Sequence, residues 1–113
     1  MLAGDCLYLS IWKTLYIYQL QESAHQPLKY LTYLNASDDI YKMVIFGSDL
    51  IMGEHDGYLE FVDLNKKGFA SSHRFEQGSH INDVLPIILG SQYLLGTNKG
   101  ILLTSRDTLV KHY

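Results

Sequence analysis

The chain has 113 residues, 47% hydrophobic and 19% charged, with nine Tyr and only two Pro, so it is globular, of one domain at most, and not a disordered segment. A formal net charge of −3, with Lys and Arg scattered, excludes the basic footprint of a nucleic-acid or anionic-membrane binder. Cys6 is the single cysteine, so no internal disulfide forms, and a reducing, cytoplasmic setting is expected.

The opening stretch MLAGDCLYLSIWKTLYIYQL is apolar, but Asp5 stands where a secretory leader needs basic charge, and Lys13-Thr14 break the run. Neither a leader nor a membrane span is expected. The stretch reads instead as two β-rich runs about a turn at Trp12-Lys13, with QPLKYLTYL as the next strand. After a turn at Asp38-Asp39, the run DIYKMVIF (Asp39–Phe46) is β-branched and aromatic with a glycine stop, again a strand. Leu50-Ile51-Met52 and YLEFVDL flank the turn EHDG, the pattern of a hairpin, and SSHRFEQ follows. In HINDVLPIIL (His80–Leu89), Ile81, Val84, Leu85 and Ile88 also match helical spacing. Pro86 would cost a helix ~3 kcal/mol, so a strand is expected, with Pro86 on a sheet edge. Tyr93-Leu94-Leu95 and ILLTSRD then flank TNKG as a second hairpin, and a last strand lies near Leu109–Tyr113. Gly57 and Gly100 end their turns, where positive φ is expected.

The two hairpins are copies. At an offset of 43, Gly47, Ser48, Gly53, Gly57 and Leu59 fall on Gly90, Ser91, Gly96, Gly100 and Leu102. A looser copy starts at Gly4, where Leu7 falls on Leu50, and Tyr16 and Tyr18 on Leu59 and Phe61. Internal repeats of this length, each with four strands and several of them apolar on both faces, describe blades of a β-propeller, since radially packed sheets cover one another. The fold class is therefore all-β: blades of four antiparallel strands in an incomplete ring, with repeats near 4–46, 47–89 and 90–113 in one partial propeller domain spanning 1–113. The frame opens on a second strand, giving about two and three-quarter blades, where propellers close with about four or more. Completion is expected from the remaining blades of a longer chain, from self-association, or from a protein partner.

The residues resemble WD-repeat propellers. In that family a turn Asp is followed, six and seven places on, by Trp-Asp; here Asp56 is followed by Val62-Asp63. Gly78-Ser79-His80 resembles the family's Gly-His with an inserted serine, though the matching turn position is Lys99 rather than Asp. LLGTNKGIL looks equally like the GT-x-x-GL turn of other propeller groups, including those of bacterial sensor proteins.

No motif points to catalysis. His25, His55, His73, His80 and His112 show no paired ligand spacing, so no metal or other cofactor is expected. Asp38-Asp39 and Glu54/Asp56 would act as acid and base only if paired in a desolvated cleft, and they are placed in turns. Ser48 and Ser91 lack a GxSxG frame, and GTNKG lacks the Lys-Ser/Thr of a phosphate loop. The resemblance implies binding on one face of the disc. It would place Trp12, Lys13, His55, Asp56, Asn98 and Lys99 there, with Asp38, Asp39, His80 and Asn82 beside them. The expected function is a non-catalytic, cytoplasmic protein-interaction scaffold. The alternative is a sensory propeller segment that binds a small molecule or controls an enzyme domain elsewhere in a longer chain.

Overall fold

The computed structural model describes residues 1–22, 25–87 and 91–113. Strands there form three four-stranded antiparallel sheets, each a meander of consecutive strands. The first comprises β1 (Leu2–Ala3), β2 (Cys6–Ile11), β3 (Thr14–Leu20) and β4 (Leu28–Asn35). The second comprises β5 (Ile40–Phe46), β6 (Asp49–Glu54), β7 (Tyr58–Asp63) and β8 (Gly68–Arg74). The third comprises β9 (Ile81–Ile87), β10 (Gln92–Thr97), β11 (Gly100–Thr104) and β12 (Leu109–His112). Side by side, they are blades of a β-propeller whose ring is not closed.

Strand character prevails in Ile81–Ile87, with Pro86 on the edge strand of its sheet; Ile88 and Leu89 lie outside the described residues. Gly57 (φ +83°) and Gly100 (φ +125°) adopt the positive φ expected of them. The chain carries three blades, not two and three-quarters. Leu2 and Ala3 pair with Leu7 and Cys6, so a two-residue first strand completes the first sheet. Each 43-residue unit thus begins on the second strand of one sheet and ends on the first strand of the next, out of phase with the blades.

The repeat alignment also fails beyond the turns. Gly53 pairs with Leu59, whereas its counterpart Gly96 pairs with Ile101, because the β6–β7 turn is one residue longer. A one-residue shift turns every following side chain to the other face. Leu59 therefore matches Ile101, and the true counterpart of Leu102 is Glu60, which is 3% exposed.

The core lies between sheets. Cys6, Tyr8, Leu15 and Ile17 of the first sheet pack against Leu50, Met52 and Val62 of the second. Ile51, Leu59 and Phe61 on the other face of the second sheet meet Ile81, Val84, Tyr93 and Leu95 of the third. Ile17 is wholly buried in the first of these layers. The second and third sheets approach closely at Gly53: a Cβ there would lie 2.5 Å from a methyl carbon of Ile81.

Candidate functional site

The hairpin turns of all three sheets and the linkers between sheets meet on one rim, joined by backbone hydrogen bonds. The amides of Ala36 and Ile40 donate to the carbonyls of Lys13 and Trp12 at 2.8 and 2.7 Å, which seats the first linker on the β2–β3 turn. The amide of His55 donates to the carbonyl of Asp39 at 2.8 Å, and that of Phe75 to the carbonyl of Gly57 at 2.9 Å. The amide of His80 donates to the Asn98 side chain at 2.6 Å, tying the second linker to the β10–β11 turn. All ten sequence-derived candidates thus lie along this rim or beside it.

Their exposure differs. Trp12 occupies a two-residue turn at φ +55° and is 81% exposed, so it does not pack beneath its own turn. Lys13, Asn82, Asn98 and Lys99 are also exposed, while Asp38, Asp39, His55, Asp56 and His80 are half-buried. His55 and His80 meet at a tilt of 44° with ring centroids 4.2 Å apart, and Tyr41 lies 5.9 and 5.8 Å from them, an aromatic cluster at the mouth between the second and third sheets. Asp38 accepts the amide of Asp39 at 2.8 Å, the turn-forming use expected of it. Asp56 pairs with Arg74 and accepts the amide of Gly78 at 2.5 Å; the Gly78 amide and the Arg74 guanidinium hold its carboxyl below the ordinary range.

Glu54 departs from expectation. The sequence places it in a turn; the structure buries it completely at the end of β6, beside Glu60. Asp38 donates its amide to Glu54 at 3.0 Å and Ser37 to Glu60 at 2.6 Å, so the first linker closes over both carboxyls. Glu54 Oε2 has no donor, and burial, reinforced by the adjoining Glu60 carboxyl, pushes the Glu54 pKa up to about 10. Protonated, Glu54 is spared from burying a charge beside the Glu60 carboxyl. Tyr41, Glu60 and Arg74 were missed in the sequence because their roles come from neighbours on other strands.

At the opposite end, a cavity of about 720 Å³ opens between the first two sheets, lined by Asp5, Cys6, Tyr8, Ser48, Asn65 and Lys67 among others. Asp63, the surviving half of the WD dipeptide, works there as a turn cap, accepting the amides of Asn65 and Lys66 at 2.8 and 3.1 Å.

No protein-family model matches the chain, and no curated protein is similar to it in sequence. Among solved structures it is similar to a europium-containing methanol dehydrogenase, with a TM-score of 0.73 and 13% identity, over 95% of this chain and 22% of that one. At that identity the likeness is one of fold alone, and the chain spans about a fifth of the length of that enzyme. That structure is a β-propeller, not one of WD-repeat type specifically. The chain has the fold of three successive β-propeller blades.

Proposed function

We propose that the chain is a non-catalytic, cytoplasmic protein-interaction module of WD-repeat-like kind, which engages a protein partner through the rim of turns and linkers. One observation carries the reading: Trp12 is held outward, 81% exposed, by a turn that places a bulky residue at φ +55°. Positive φ costs a non-glycine residue energy that surrounding structure must offset, and exposed Trp is enriched among interface hot spots. The aromatic cluster of Tyr41, His55 and His80 extends the same rim, and Asp38, Asp39, Lys13 and Lys99 surround it with charge of both signs. The neighbouring carboxyl groups of Glu54 and Glu60 lie beneath the first linker, closed off from a substrate.

The test compares proteins retained from a cell extract by the immobilised wild-type chain, a Trp12→Ala/Lys99→Glu rim variant, and an Asn65→Ala/Lys66→Ala variant altered at the opposite end. A partner lost only with the rim variant is expected. Identical retention by all three overturns the reading. The cavity of about 720 Å³ at the opposite end favours the second reading, a sensory segment that holds a small molecule. A partner or ligand lost only with the Asn65/Lys66 variant would support it.

A further inference from the structure

Among the described residues, the first and third sheets each leave one apolar face without a neighbour. On the first, Leu7, Tyr18 and Tyr30 pair in one row across the strands, and Leu9, Tyr16 and Tyr33 in the next. Leu9, Tyr30 and Tyr33 are 43%, 50% and 53% exposed, and Tyr18 and Tyr30 stack edge to face at 5.7 Å. The alternate row, Tyr8 and Ile17, is buried against the second sheet. On the third sheet the open row is Leu85, Leu94 and Leu103, with Leu85 57% exposed, whereas the adjoining Val84, Leu95 and Leu102 are buried.

These two faces are the separated halves of an interface the chain already makes twice. By register, Leu85-Leu94-Leu103 stands in the third sheet where Val44-Ile51-Phe61 stands in the second, and the third sheet covers that row. Leu9 and Tyr16 stand where Leu95 and Leu102 stand in the third sheet, covered by the second. One half carries tyrosines and the other leucines, and inside the chain Tyr8 shares one core layer with Leu50, Met52 and Val62.

We propose that the occupant of each open face is a second copy of this chain, docked head to tail, so that the leucine face of one copy covers the tyrosine face of the other in a closed ring of six blades. Head-to-tail contacts use two different patches and either close or propagate. Two copies of three sheets give six blades, within the roughly four to eight of closed propellers, while three copies exceed it. Closure at two covers all four open faces. The inference uses the sheet faces and not the rim, and stands whether or not the rim binds a partner.

Light scattering on the purified chain is expected to give twice the 12.9 kDa mass of one chain. A monomer at micromolar concentration, a trimer, or an open series of polymers overturns the proposal. Leu9→Lys and Leu85→Lys alter residues exposed on the single chain, one on each face, so both should keep the wild-type circular dichroism. Each alone should raise the dimer Kd by roughly a hundredfold, a hot-spot-sized loss. Mixed, they should recover a heterodimer through their one unaltered interface. If only one substitution disrupts the dimer, or mixing recovers nothing, the head-to-tail arrangement is wrong. If a variant fails to fold, the wild-type mass still decides between ring and monomer.

Discussion

At the scale of one residue, Glu54 ties stability to pH. A carboxyl whose pKa rises from its ordinary 4.5 to about 10 on folding favours the folded state fully below the ordinary value and loses that advantage as pH rises toward 10. Asp56, held below its ordinary range, acts in the opposite sense and withdraws support as pH falls through its lowered pKa. Stability should therefore peak in mildly acidic solution and decline through neutrality. Glu54→Gln keeps the shape, donates from its amide to Glu60 and accepts from Asp38 with no charge to bury. It should unfold at higher urea than the wild type at pH 8, with a flatter pH profile. Parallel profiles for the two proteins would show that Glu54 is not the titrating group.

Hairpins and the layers between sheets set the scale of elements. Gly57 lies at φ +83°, and a Cβ there would sit 2.1 Å from the carbonyl oxygen of Glu76, in the second linker. Gly57→Val therefore combines strain with a backbone clash and should cost at least ~1 kcal/mol, read as a lower urea midpoint. An unchanged midpoint would contradict the turn geometry. Phe61 joins two sheets by packing: it is wholly buried, meets Tyr93 edge to face at 5.2 Å, and lies 4.2 Å beneath the Arg106 guanidinium. Arg106 also pairs with Asp49 of the second sheet, but half-exposed. Phe61→Ala should cost about 3–5 kcal/mol by opening a cavity. Arg106→Ala should cost about 1 kcal/mol or less in ion-pair energy, since solvent screens an exposed pair. The reverse ranking would mean that charge rather than packing joins these sheets.

Over the whole molecule, the second sheet is covered on both faces and the outer two on one each. Local opening follows burial, so protection against amide hydrogen exchange should be greatest in β6 and β7 and lower in β3 and β11. The monomeric Leu9→Lys variant is the form in which to measure it, because a ring would cover the outer faces. Slowest exchange in β3 or β11 would show that the single chain covers its own outer sheets. Trp12 supplies a second measurement on the whole molecule. As the single tryptophan, and 81% exposed, it should emit at long wavelength and be quenched readily by iodide; protection in the wild-type chain alone would place an occupant on the rim.

The sequence by itself determined the strands, the positive-φ turns at Gly57 and Gly100, and the blade repeat, because each follows from local signals: alternation, β-branched and aromatic runs, and glycine where Cβ is strained. The resemblance to WD-repeat propellers implied that Trp12, His55, Asp56, His80 and Asn98 share one face; in the structure the linkers and turns that carry them are joined by hydrogen bonds such as that from the His80 amide to Asn98. Only the tertiary structure decided which face each side chain takes after the longer β6–β7 turn, because one added residue reverses the alternation without altering the apolar pattern. The same shift puts Glu60 where the repeat would place an apolar residue, and the first linker, folding back over it, buries Glu54 as well. A carboxylate in a string of letters carries no mark of burial. Its neighbours across the sheet and over the linker set its charge, and they are brought together only by the packing of one blade on the next.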